Sequence, residues 1–309
     1  MNRFFICLIL WMTSLPLFAQ STTESEEEPK QRLSLLDIPS SPHKGRIIGL
    51  TAWSLGSYAA TMISLDQAWY SQYERSKFHF FNDNAQWLQM DKVGHAWTSY
   101  SEGLYGVALF RWAGLQDKKA IWIGGMVGTF FQAGIEVLDG FSAQWGASVG
   151  DLLANSTGSA LVIAQELAWK EQRFRLKFSA HRPDYDEYEE SLQLRAKDLY
   201  GENVAEQLLK DYNGQTYWLT VNPSTFIKNP DSKFPKWLSI AVGYGADGIF
   251  GGNLNQWTDG EEVYWDYEGV IPRHRQYYLS FDVDLDRIPT NSRFLKVLLG
   301  AVNVLKFPA

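Results

Sequence analysis

The sequence predicts a mainly α protein: a compact four-helix bundle with small-residue helix packing, then two amphipathic helices, then a small antiparallel β-containing C-terminal region. Three observations carry this. Four apolar segments between residues 45 and 170 are each long enough for a helix and too long for a typical strand. Residues 171–213 turn polar, with apolar residues at helical spacing. The tail switches to a strict period of two in YYLSFDVDL at 277–285.

The elements follow in order. MNR, the apolar run FFICLILWM and LFA ending at Ala19 predict a secretory signal over residues 1–19. That run is shorter than the roughly 20 residues a span needs. Cys7, the only cysteine, lies inside it, so the mature chain is expected to carry no disulfide and no thiolate chemistry. Residues 20–43 are acidic and rich in Ser and Pro, the composition of a disordered linker.

The helical bundle domain is expected over 44–170, from segments at 45–70, 95–114, 118–140 and 149–170. GGMVG at 124–128 and ANSTGSA at 154–160 let helix backbones approach closely. Behind a cleaved signal, four inner-membrane spans would place Lys44, Arg46, Arg111, Lys118, Lys119 and Lys170 outside, against the positive-inside rule. The expectation is a bundle packed in the periplasm and resting on a membrane. In 171–213, Leu192, Ala196 and Leu199 share one helix face, and Val204, Leu208 and Tyr212 share another, with a break near Gly201. In 214–309, strands are expected at 216–221, 237–245 and 277–285, with a long loop over 247–276. Tyr277, Leu279, Phe281, Val283 and Leu285 form an apolar face, and Tyr278, Ser280, Asp282 and Asp284 a wet one. About three strands are too few for a membrane barrel, which needs at least eight, so a small sheet covering the helices is expected. A last apolar helix spans 292–305, with Asn291 or Thr290 as its N-cap.

Composition excludes some functions. The net charge of −7 gives no basic footprint for nucleic acid. The aromatic share of 15%, with 13 Trp, suits surfaces that are apolar on one side and wet on the other. The chain has no HExxH, GxSxG, Walker A or Cys/His spacing, and no cofactor is expected.

What stands out is a set of polar residues at the ends of apolar segments. Asp91 and His95 are four apart, Glu136 and Asp139 three, Ser148 and Asp151 three, Asp151 and Asn155 four, so each pair shares a helix face. Antiparallel packing brings these patches, with Lys92, to one end of the bundle. Carboxylates with an imidazole suit a cation or acid–base chemistry. Any metal would fall to His95, Glu136, Asp139 and Asp151, although one histidine is thin for zinc. Structural duties compete: Asp91 as a helix cap, Ser148 with Asp151 as cap and first-turn acid, Asp139-Gly140 as a helix exit, and Asn155 with His95 as interhelical glue. Glu102, seven residues after His95, lies on the same face and could join. His79, His181 and His274 read as loop residues.

DKVGHAWTSY, a Gly-rich apolar helix, then GIEVLDGFSAQWGASVGDLLANSTGSAL resembles the YfiM-like family of predicted periplasmic lipoproteins, a domain of unknown function. It is similar, more distantly, to VanZ-like membrane proteins. The resemblance covers about residues 91–165 and rests on Asp91, Lys92, His95, Glu136, Asp139, Ser148, Asp151, Asn155 and Gly158. It implies an envelope location and a helical domain, and brings no activity with it. The expected protein is exported, to the periplasm or outer membrane rather than the inner membrane, with a structural or binding role and a membrane surface or envelope component as partner. The alternatives are a hydrolase or metal-assisted enzyme acting on an envelope lipid or peptidoglycan piece through His95 with Glu136 or Asp151, with Lys92 steadying an anionic group, and a VanZ-like multi-pass protein.

Overall fold

The computed structural model describes residues 33–308 apart from residues 69, 73, 230 and 259–262. The expected signal at 1–19, with Cys7, and most of the linker at 20–43 lie outside the described residues. Helix α1 spans Lys44–Ala68. Its start is anchored by His43 N–H donating to Ala113 O and by the Arg46 guanidinium donating to Asp37 O and Trp112 O. Among its described residues only Leu50 is buried, and Tyr58 stacks on Phe131.

Helix α2, Met90–Trp112, runs back through the middle of the molecule. The single helix expected at 118–140 is two, α3 (Asp117–Gly125) and α4 (Val127–Asp139), interrupted at Met126. Adjacent glycines weaken a helix, and here Gly124 brings α3 against α2. A Cβ on Gly124 would lie 2.3 Å from Val107 N, so no side chain fits there. Helix α5, Val149–Trp169, closes on the other side of α2, where a Cβ on Gly158 would lie 2.2 Å from Ala96 O. Small residues set both approaches, as the sequence predicts. Tyr100, Val107, Ile121, Val162 and Ile163 form the core between these helices.

A four-stranded antiparallel sheet packs on the opposite flank of α2. Its strands are β1 (Phe174–Ala180), β2 (Gln215–Val221), β3 (Leu238–Asp247) and β6 (His274–Val283), in that order. Strand β1 lies in a stretch expected to be helical and polar. Its alternation is disguised because the charged Arg175 and Lys177 are buried, along with Phe178. The expected loop at 247–276 contains a hairpin, β4 (Gln256–Thr258) with β5 (Tyr264–Asp266). Helices α6 (Glu190–Tyr200) and α7 (Val204–Lys210) match the two amphipathic helices. Leu192, Ala196 and Tyr200 pack on Phe250 and Tyr267, whereas Val204, expected on a buried face, is exposed. Helix α8, Arg293–Val302, is capped by Ser292 Oγ, which accepts from Leu295 N–H, and not by Asn291 or Thr290.

The alternation in β6 is present, but its burial is reversed. Leu279 and Phe281 are 78% and 67% exposed, whereas Asp282 and Asp284 are 0% and 1% exposed. The register explains it. Phe178, Tyr217, Tyr244 and Tyr277 are successive cross-strand partners, as are Leu176, Leu219, Val242 and Leu279. Trp97 of α2 covers this apolar face at Phe178 and Tyr217, and Tyr244 packs on the same core, whereas Ile240 and Val242 of β3 and Tyr277, Leu279 and Phe281 of β6 are exposed. The other face holds charges that need one another. Lys177 Nζ lies 2.8 Å from Asp282 Oδ2 and donates to Asn303 Oδ1, and Asn303 Nδ2 donates to Asp284. The segment after α8 lines the edge of β1, with Phe178 N–H donating to Val304 O, and reaches the end of β6, where Val283 N–H donates to Phe307 O. That encloses the charged face.

Candidate functional site

The turn that delivers α2 is held in an uncommon conformation. Trp87, Leu88 and Gln89 have φ of 52°, 51° and 64°, three consecutive left-handed residues without a glycine. Such residues cost on the order of 1–3 kcal/mol each and persist only where the surroundings enforce them. Here the C-terminal region does so. Trp87 N–H donates to Gly252 O, Tyr244 Oη donates to Leu88 O, and Arg275 donates to Gln89 Oε1.

The helix therefore begins at Met90, and Asp91 stands inside its first turn; Gln89 occupies the N-cap position and makes no side-chain cap bond. Capping is not what Asp91 does. Its Oδ1 accepts from Tyr212 Oη at 3.1 Å, and its Oδ2 lies 3.1 Å from Lys92 Nζ. Lys92 gathers three carboxylates: Asp83 Oδ2 at 2.7 Å, Asp151 Oδ1 at 2.8 Å and Asp91. Ser148 is the N-cap of α5, accepting from Asp151 N–H, and its Oγ donates to Asp83 Oδ1 at 2.6 Å. Ser148 N–H donates to Glu136 Oε2 at 2.8 Å, which ties in the end of α4. The patches on α2, α4 and α5 do meet at one end of the helices.

His95 lies one turn above Asp91. Its Nδ1 bonds Asn155 Oδ1 at 3.1 Å, the interhelical link the sequence suggests. Its Nε2 faces Asp91 Oδ1 at 3.7 Å and Asp151 Oδ1 at 3.8 Å, both beyond hydrogen-bonding distance. The three residues each offer a ligand atom within 4.8 Å of the others. The side chains of His95 and Asp91 keep 16% and 25% exposure, so solvent reaches them. Two buried atoms nearby, Asn155 Nδ2 and Glu136 Oε1, have no hydrogen-bond partner. Asp151 Oδ1 also lacks a well-angled bond, but the Lys92 ammonium beside it supplies charge.

The electrostatics follow from this packing. Burial disfavours the charged forms of Asp91, Lys92 and His95 alike. For Asp91 the neighbouring His95 and Lys92 outweigh burial and hold its carboxyl below the ordinary value. Asp91 and Asp151 in turn raise the His95 imidazole, and with Asp83 they hold Lys92 charged. Glu136 has no cation in contact, and burial pushes its carboxyl up to about 8. Burial and the nearby Asp91 charge raise Asp151 to about 6.

Other expected members stand apart. Asp139 ends α4 and accepts from Tyr70 Oη and Trp145 Nε1, burial raising it to about 6; it serves the connection after α4. Neither Asp139 nor Glu136 belongs to the trio that could hold a cation; Asp91 takes that place beside His95 and Asp151. Glu102 bonds Gln132 Nε2 at 3.2 Å, and burial raises it to about 8. His79 bonds Ser76 and Lys77 in the loop before α2. His181 N–H closes a backbone bond to Gly214 O, and His274 begins β6. Sequence reasoning missed Asp83 and Tyr212. Asp83 comes from the loop before α2, and Tyr212, expected on the apolar face of the second amphipathic helix, sits in the turn after α7 and reaches Asp91 instead; nothing in local spacing marks either as a cluster member.

No curated protein and no solved structure matches the chain. Residues 79–166, the stretch holding α2 to α5 and every cluster residue except Tyr212, match the family model described as "Predicted periplasmic lipoprotein (DUF2279)", in agreement with the exported, envelope location expected from the N-terminus.

Proposed function

We propose that the chain is an exported envelope protein whose helical unit carries a small polar binding site centred on His95, and that the site takes an oxygen-bearing ligand group such as a carbonyl or hydroxyl. The observation that supports this is the pair of buried, unpartnered polar atoms, Asn155 Nδ2 and Glu136 Oε1, beside a histidine whose Nε2 has no bonded partner. A network built only for stability satisfies its buried polar groups. Asn155 Nδ2 is a donor, Glu136 at about 8 keeps a proton to donate at neutral pH, and the carboxylates beside His95 favour its doubly protonated form, so an acceptor suits the site. The Lys92 tripod is the structural half of the cluster. Engaged by three carboxylates, Lys92 is not free to steady an anionic substrate.

The finer reading of the helices as a four-helix bundle belongs to this proposal. Helices α2, α3–α4 and α5 form its body, and α1 leans on it through Tyr58.

A second reading is favoured by the spacing of Asp91 Oδ1, Asp151 Oδ1 and His95 Nε2, which suits a divalent cation. Titrating the purified chain with Mg²⁺, Mn²⁺ and Zn²⁺ separates the two. A rise in Tm abolished by His95→Ala and by Asp151→Asn would support the cation; about 2.7 kcal/mol is expected at a concentration a hundred times Kd. No rise with any of the three metals, together with stabilisation by a hydroxyl- or carbonyl-bearing envelope fragment that His95→Ala abolishes, is the expected result. Stability unchanged by every such fragment and metal would overturn both readings.

A further inference from the structure

The end of the helical unit opposite the His95 site is basic and apolar together. The start of α1, the end of α2, the start of α3 and the end of α5 meet there, joined by the bonds from His43 to Ala113, Arg46 to Trp112 and Arg111 to Glu166. Among the described residues, acids at this end are taken up by arginines: Asp37 by Arg293, Asp117 by Arg111, Glu171 by Arg173. Among the described residues, Lys44, Lys118, Lys119 and Lys170 are exposed and carry no ion pair. The positive charge left over is therefore lysine, and it is solvent-facing.

Exposed apolar side chains share this end. Helix α8 turns Phe294, Leu295, Val297 and Leu298 to solvent beside the exposed Arg293 and Lys296. The Arg293–Asp37 pair fixes α8 to the segment carrying exposed Leu35 and Ile38. Trp122 and Trp169 are exposed at the same end, and Arg173 stacks 4.7 Å over Trp169. A bare apolar helix face edged by cations, with Trp at its margin, is the composition of a surface that lies at a membrane interface. An apolar protein partner would account for the leucines and phenylalanine, but not for four unpaired lysines at the same end of the molecule. Anionic headgroups account for both.

We propose that this end docks on an anionic phospholipid surface, with α8 and the residues around Leu35 in the headgroup–acyl boundary and Lys44, Lys118, Lys119 and Lys170 against the phosphates. The site at His95 then faces away from that surface. The inference is independent of what His95 binds, since no residue is shared.

The test is co-sedimentation of the purified full chain with vesicles of phosphatidylglycerol and phosphatidylethanolamine, against vesicles of phosphatidylcholine alone. Tighter binding to the anionic vesicles, weakened by salt, is expected. Lys118→Glu with Lys119→Glu should lower that binding about tenfold or more, at roughly 1 kcal/mol per basic residue near the surface. Phe294→Asp with Leu298→Asp should lower binding to the same vesicles. The N-terminal apolar segment is common to every variant, so differences between variants report on the folded end. Should the α8 variant fail to fold by circular dichroism, the lysine pair, on exposed side chains, still decides. Equal binding to both vesicle types, or undiminished binding by the lysine variant, would overturn the proposal. So would a dimer by light scattering that α8 substitution dissociates while vesicle binding is absent.

Discussion

Two of the places where the molecule buries charge are built differently. Between the sheet and the C-terminal segment, Arg175, Lys177, Asp282, Asp284 and Asn303 face one another with almost no exposure. The two atoms there that lack a well-angled hydrogen bond each lie near an opposite charge: Asp282 Oδ2 at 2.8 Å from Lys177, and Arg175 Nε at 3.6 Å from Asp284. At the helix ends, the Lys92 tripod is closed in the same manner, but one turn away His95, Asn155 and Glu136 keep donor capacity that nothing in the described residues takes up. Burial of charge alone therefore does not mark a site. The unspent hydrogen-bonding capacity beside His95, next to solvent, is what supports the proposed site.

Four experiments would break or sharpen that contrast. The largest effect is expected at the sheet, where Lys177→Met strands Asp282. A loss of about 3–5 kcal/mol in urea unfolding is expected, with most of it recovered when Asp282→Leu is added. If the single variant is neutral, the sheet network is not the closed structural one described. Next, Lys92→Met leaves three carboxylates facing each other, for an expected loss of about 2–3 kcal/mol. Equality with Lys177→Met would mean the exposed end is as rigid as the enclosed one.

The pH dependence comes third. Glu136 is raised to about 8 in the folded chain. The folded state thus holds a proton that the unfolded state has released above about pH 4.3. Stability contributed by this group falls as pH rises through that window and is lost above about pH 8. Glu136→Gln should flatten the decline by roughly 1 kcal/mol between pH 7 and pH 8, read from Tm against pH; an unchanged slope would show that Glu136 is paired after all. Smallest of all, His95→Ala should cost under about 1 kcal/mol, because His95 makes a single side-chain bond. A loss above about 2 kcal/mol would place His95 with the structural half.

Much of this was readable from spacing. Asp91 with His95, and Ser148 with Asp151 and Asn155, fall on helix faces because three- and four-residue steps are a local property of the chain. Convergence followed from antiparallel order. Asp83 and Tyr212 were not readable, since long-range packing alone brings them to Lys92 and Asp91. The β6 alternation shows why the sheet was half legible. A period of two says that two faces differ, but not which one is buried. That depends on Arg175 and Lys177 of β1, a strand whose charges make it look like surface. The break at Met126 was hidden because Gly-Gly within an apolar run reads equally as close packing or as interruption.

The left-handed turn at Trp87–Gln89 carries one more consequence. Its fasteners, Gly252, Tyr244 and Arg275, all belong to the C-terminal region, outside the 79–166 stretch that matches the family. Where α2 starts, and so where Asp91 and His95 point, is set by a clamp nearly a hundred residues past the end of that stretch. The geometry of the cluster could thus drift through substitutions in the sheet while every residue of the cluster stayed the same.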